Sequence, residues 1–167
     1  MKGYQHMTCR KSKISIIILM LVYVLLFPLI NATAQNIIQF EHLSIEQGLS
    51  QSTVTSIVED HLGFIWFGTE EGLNKYDGYG FTVYKPKLQN RDSLLGKNIT
   101  SLLHDSTKTL WVGTRNGGIS KYDYKTDTFT TFYKESNNPK TISSSSVFQV
   151  YEDRTGTIWV VTRDAGL

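Results

Sequence analysis

The chain has 167 residues, 40% apolar and 19% charged, with three Trp, nine Tyr, eight Phe and only three Pro, a composition that excludes an intrinsically disordered chain. Its single cysteine, Cys9, excludes a disulfide framework and a cysteine-based metal site. The formal charge of +2 misleads: four of the 17 basic residues and none of the 15 acidic ones lie in residues 1–34, which leaves 13 against 15, or −2, for the remainder, so a clustered basic face for nucleic acid is not expected.

Residues 1–34 begin with Lys2, Arg10, Lys11 and Lys13, pass into the apolar run ISIIILMLVYVLLFPLI at 14–30, and end on Ala32-Thr33-Ala34. A basic region, an apolar region and a small-x-small site in that order predict a signal peptide cut after Ala34 and export to the periplasm. An uncleaved inner-membrane anchor through 14–30 is the alternative, since such a run is near the lower length limit for a span. Residues 35–48 include IIQFEHLS, similar to an outer strand of the units that follow, and are expected to form an N-terminal strand that closes a ring.

From there the chain repeats itself. Trp66, Trp111 and Trp159 recur at one pair of spacings that Asp60, Asp105 and Asp153, and Thr69, Thr114 and Thr162, also keep. In the first unit VTSIVED, FIWFGT, LNKYD and FTVYK are short, β-branched or aromatic runs separated by turns containing Gly63, Gly72 and Gly78. The second unit repeats them as ITSLLHD, TLWVGT, ISKYD and FTTFYK, with one inserted residue at Gly117-Gly118. Four antiparallel strands per unit at a period in the mid-forties predict an all-β chain, a partial β-propeller of about two and a half four-stranded blades behind an N-terminal signal or anchor helix. The blades are placed at 49–93, 94–141 and, incompletely, 142–167.

Tryptophan in every unit is what a blade needs rather than what a ligand needs, so Trp66, Trp111 and Trp159 are expected in the inter-blade core with Gly68 and Gly113 beside them; truncating one such Trp would cost about 3–5 kcal/mol. The recurring aspartates sit at turns, where they hydrogen-bond their own backbone. His42, His61 and His104 show no metal-ligand spacing, and no nucleophile elbow, phosphate loop or dinucleotide fingerprint is present, so no catalytic residue, metal or cofactor is expected. Chemistry instead varies at matched positions of the turn between second and third strands: Glu70 in the first unit, Arg115 and Asn116 in the second, Arg163 in the third. These four are the candidate ligand-binding residues, the arginines able to hold sugar hydroxyls or an acidic group through forked hydrogen bonds.

The text from Asp60-His61-Leu62-Gly63 through Trp66-Phe67-Gly68-Thr69 to Lys75-Tyr76-Asp77 resembles the two-component regulator propeller repeat. The opening from Phe40 is similar to the start of the periplasmic sensor region of hybrid histidine kinases. The resemblance implies a membrane-anchored homodimeric receptor with two propellers, a β-sandwich, a membrane helix and cytoplasmic kinase and response-regulator parts, recognising oligosaccharides. The chain is therefore expected to be a truncated sensor whose last residues, Asp164 to Leu167, fall within the third repeat. A secreted lectin that closes its ring by oligomerising, or a fragment of a glycan-active propeller enzyme, are the alternatives.

Overall fold

The computed structural model describes residues 19–23, 38–90 and 92–166, and divides the chain into two units, 1–41 and 42–167. In the first unit the described residues 19–23 are helical, and no helix among the described residues is long and apolar enough to cross a membrane. The rest of the expected leader lies outside the described residues. The strand expected over 35–48 is not formed over residues 38–48: Ile45–Gln47 is a single 3₁₀ turn, capped by the Ser44 hydroxyl, which accepts from Glu46 N at 3.2 Å. A lone strand has no neighbour for its backbone N–H and C=O groups, and among the described residues 42–48 none is paired with a sheet edge.

The second unit consists of three antiparallel sheets in chain order. The first contains β1 (Val54–Glu59), β2 (Ile65–Thr69), β3 (Gly72–Tyr76) and β4 (Phe81–Tyr84). The second contains β5 (Ile99–His104), β6 (Leu110–Thr114), β7 (Ile119–Asp123) and β8 (Thr128–Phe132). The third pairs β9 (Val147–Glu152) with β10 (Ile158–Thr162). Each sheet is a meander, its strands joined by tight turns, as the alternation of β-formers with Gly and Asp dictates.

The aspartate and tryptophan columns lie six residues apart because they form one device. Asp60 accepts from the backbone of Leu62 and Phe64 at 2.9 and 3.1 Å and from the Trp66 indole at 2.7 Å. Asp105 does the same for Thr107, Thr109 and Trp111, and Asp153 for Thr155, Thr157 and Trp159. The carboxylate thus shapes the turn and orients the ring on the next strand.

Blades stack through this ring and through the glycine two residues on. Trp66 is fully buried, edge-on to Tyr122 of the second blade at 4.9 Å and against Tyr84 at 5.6 Å, within a core that includes Leu73, Leu94, Ile99, Leu110 and Phe129. A Cβ on Gly68 would stand 2.7 Å from Ile99 Cγ2, and one on Gly113 2.8 Å from Val147 Cγ1, so glycine permits the inner strand of the following blade to approach. Trp111 is half-buried. Trp159, expected in the core, is instead 45% exposed, because it lies on edge strand β10 with no blade packed over it in the structure.

Inner strands are also joined by hydroxyls at a bulge repeated at the start of β1 and β5. Thr55 Oγ1 donates to Ile99 O at 2.8 Å, and Ser56 Oγ accepts from Leu102 N at 3.0 Å. One blade later Thr100 Oγ1 donates to Val147 O at 2.9 Å, and Ser101 Oγ accepts from Val150 N at 3.1 Å.

Candidate functional site

In every blade the threonine that ends the second strand ties down the turn after it. Thr69 Oγ1 donates to Gly72 O at 2.9 Å, Thr114 Oγ1 to Gly118 O at 3.0 Å, and Thr162 Oγ1 to Gly166 O at 2.8 Å. The next residue is therefore presented at a defined place: Glu70, Arg115 and Arg163. Two of these turns are held from the other side as well, because Arg115 N donates to Asn98 O at 3.0 Å and Arg163 N to Ser146 O at 2.9 Å, both acceptors lying in inter-blade connectors.

Blade stacking then brings the three residues to one cavity of about 440 Å³, where Glu70, Arg115 and Arg163 meet Asn98, Ser146 and Gln149. The inner-strand hydroxyls of Thr55, Ser56, Thr100 and Ser101 also line it, but they are engaged between blades as described above. The chemistry free to meet a ligand is thus two guanidinium forks, one carboxylate and the amides of Asn98 and Gln149. All three charged residues are exposed, and among the described residues neither arginine has a carboxylate partner within ion-pair distance. The polar part of the wall is net cationic and suited to polyhydroxylated or anionic groups, while Ile99, Val147 and Phe148 give the cavity an apolar side.

The fourth predicted residue, Asn116, does not line that cavity. It faces an adjoining one of about 420 Å³ with Glu71, Lys97, Gly96 and Leu95, and the two share Glu70, Asn98 and Arg115. Lys97 Nζ lies 2.7 Å from Glu71 Oε1, and this hydrogen bond holds the Glu71 carboxyl below its usual value. Asn98, Ser146, Gln149 and the Lys97–Glu71 pair were not singled out from the sequence. Asn98 and Ser146 share a connector column at the same offset as Leu94 and Ile142, which is the signal that would have found them.

At the opposite end of the strands the structure joins two histidines that the sequence keeps apart. His61 Nδ1 is 3.1 Å from His104 Nε2, with ring centroids 5.3 Å apart and planes 12° from parallel. The two ring nitrogens are within hydrogen-bond distance, one donating to the other. Tyr124 lies edge-on to His61 at 4.7 Å. No cluster of three or more metal-ligating side chains occurs among the described residues. Nearby, Tyr84 and Tyr122, from different blades, both donate to Asp127 Oδ1, at 2.7 and 2.6 Å. Burial pushes both phenols up, Tyr122 to about 12 and Tyr84 further.

Antiparallel four-stranded sheets stacked face to face, each presenting the same turn at one end of a shared cavity, define the blades of a β-propeller. Residues 48–71, 93–116 and 141–164 each match the two-component regulator propeller model, so the chain carries three copies of that repeat. It is 39% identical over 69 residues to Histidine kinase P4 of Formosa agariphila, an overlap of 41% of this chain and 5% of that protein. Among solved structures, the extracellular domain of the hybrid two component system BT3049 from B. thetaiotaomicron superposes with a TM-score of 0.68 at 32% identity, over 73% of this chain and 17% of that one. The corresponding domain of BT4673 from the same organism superposes with a TM-score of 0.60 at 25% identity, over 78% of this chain and 18% of that one. The chain therefore spans less than a fifth of these relatives.

Proposed function

We propose that this chain supplies part of the ligand-receiving propeller of an extracytoplasmic sensor in a hybrid two-component system, and that the ligand is an oligosaccharide received at the Glu70–Arg115–Arg163 cavity. The carrying observation is that Glu70, Arg115 and Arg163, which occupy one matched turn position in three blades and differ in charge there, converge on one cavity. Packing accounts for the columns that stay constant; it does not account for a glutamate and two unpaired arginines held at the same place. Export through the leader and anchoring of a homodimeric receptor in the inner membrane belong to the same proposal. In this reading binding is recognition alone: forked guanidinium donors take ring hydroxyls or a carboxylate, Glu70 accepts from hydroxyls, and the Asn98 and Gln149 amides fix orientation.

The test is isothermal titration of the full chain with neutral and uronic-acid oligosaccharides of defined length. Binding of at least one set, weakened about tenfold or more by Arg115→Ala combined with Arg163→Ala at unchanged unfolding midpoint, is expected. Absence of binding across the panel, or equal binding by the double variant, refutes it.

A further inference from the structure

At the end of the strands away from the shared cavity, the two interfaces between blades solve one problem with different chemistry. His61 directly follows Asp60 in the β1–β2 turn, and His104 directly precedes Asp105 at the end of β5. One blade later the same two positions are Ser106 and Glu152, and they too meet across the interface. Ser106 N donates to Glu152 Oε2 at 2.9 Å, and Ser106 Oγ donates to Glu152 Oε1. The fold thus uses this place for a polar clasp between neighbouring blades, and a hydroxyl with a carboxylate is enough to make it. Nothing in the packing asks for two imidazoles at the first interface.

The separation of those imidazoles suits a shared metal ion. Two nitrogens bound to one tetrahedral zinc at about 2.0–2.1 Å each stand about 3.3–3.4 Å apart. His61 Nδ1 and His104 Nε2 are 3.1 Å apart. Putting an ion in place of the bridging hydrogen therefore asks for a few tenths of an ångström and a turn of about 35° in each ring, so that the lone pairs converge on one point. His61 is exposed and His104 half-buried, which leaves the pair open to solvent and His61 room to turn. The charges nearby favour a cation. Asp60 and Asp105 adjoin the two histidines in sequence, and their oxygens are committed to turn amides and to the Trp66 and Trp111 indoles, so they contribute charge rather than coordination.

We propose that His61 and His104 form an inter-blade binding site for a divalent zinc-type ion, with water in the remaining coordination positions. The ion replaces the hydrogen bond of the clasp by a coordinate link between the first and second blades. Imidazole nitrogen suits zinc, copper and nickel, whereas magnesium and calcium prefer oxygen. Two protein ligands are fewer than the four of a closed structural zinc site, so the ion is taken up and released rather than permanently held.

The test is isothermal titration of the full chain, stripped of metal by a chelator, with zinc chloride at about pH 7.5. Saturable uptake of zinc in the micromolar range is expected, with no heat from magnesium chloride. His61→Gln and His104→Gln should each weaken zinc binding about tenfold or more, and so should lowering the pH to about 5.5, because protonated imidazole cannot ligate. Zinc should also raise the urea midpoint of the parent chain and leave that of either variant in place. This second measurement compares each chain with itself, so a variant that is merely less stable does not imitate the result. No binding at millimolar zinc overturns the proposal. Equal binding by either variant does so too, since the ion would then be held elsewhere, as by His6 and Cys9.

Discussion

Substituting Gly68 tests whether inter-blade approach, rather than strand conformation, demands the glycine of the repeat. Its φ is not in the left-handed region, so alanine meets no backbone penalty, and replacing glycine within a strand would by itself gain about 0.5–1 kcal/mol. Against that, the new methyl would meet Ile99 Cγ2 at 2.7 Å, Ile99 Cβ at 3.1 Å and Thr55 Oγ1 at 3.2 Å. Ile99 is fully buried, β-branched and fixed in β5, so it has no free rotamer into which to retreat. Overpacking of this kind costs about 1–3 kcal/mol, which exceeds the strand gain, and a net loss of about 1–2 kcal/mol is expected for Gly68→Ala. Ile99→Ala alone should cost about 2–5 kcal/mol through the cavity it leaves. Combined, the two changes should cost less than their sum by about 1 kcal/mol or more, because the added methyl then enters the vacated space. Urea unfolding of the full chain, followed through tryptophan emission, measures all three. Additivity within about 0.5 kcal/mol would refute the packing explanation.

Asp105→Ala should destabilise by about 2 kcal/mol, since it strips a buried acceptor from Thr107 N, Thr109 N and the Trp111 indole; the same change at Asp153, where water reaches the carboxylate, should cost less, and the reverse order in urea midpoints would contradict this. Tyr84→Phe removes one of two phenols on Asp127 and should cost about 1.5–3 kcal/mol, a charge-assisted hydrogen bond between blades, while leaving the far-ultraviolet spectrum unchanged. Acid should loosen the fold from about pH 4 downward. Partial desolvation of Asp105, which is buried, and of Asp127, which is exposed, acts to raise their pKa, but hydrogen bonds from Thr107, Thr109 and Trp111 at one, and from Tyr122 and Tyr84 at the other, outweigh this and lower it. A folded pKa below the unfolded one contributes stability above the unfolded value that is lost as the pH falls toward the folded one. A urea midpoint that holds steady from pH 5 to pH 3 would show that these carboxylates carry no such linkage.

What the repeat spacing disclosed, and what it hid, follows from whether a contact lies within a blade or between blades. Every strand of the two full blades was legible, because β-branched and aromatic runs bounded by Gly and Asp alternate at a constant period, and the Asp60–Trp66 device repeats at fixed separation. The shared cavity of Glu70, Arg115 and Arg163 was legible too, since matching positions of successive blades must face a common axis. Thr55 on Ile99 O and Ser56 on Leu102 N were not, because a hydroxyl adds nothing to a hydrophobic period and its partner lies a whole blade away. His61 and His104 were hidden more thoroughly. One follows its aspartate and the other precedes its own, so they occupy different columns, and only the offset between adjacent blades brings them into contact.

The same distinction separates structure from recognition in this fold. Positions constant across blades, Asp60, Trp66 and Thr69 with their counterparts, and the Gly68–Gly113 pair of the two full blades, are each accounted for by a turn, a core or a close approach, and a ligand role for any of them is superfluous. Thr69 and Thr114 go further, since by closing their turns they hold the following residue in place whatever its identity. Substitution at 70, 115 or 163 can therefore change what the cavity offers a ligand without disturbing the blade beneath it. A propeller built in this way separates the determinants of stability from those of specificity by a single residue along the chain. That is why Arg115→Ala and Arg163→Ala should alter binding and leave the unfolding midpoint in place, whereas a change one residue earlier, at Thr114 or Thr162, should alter both.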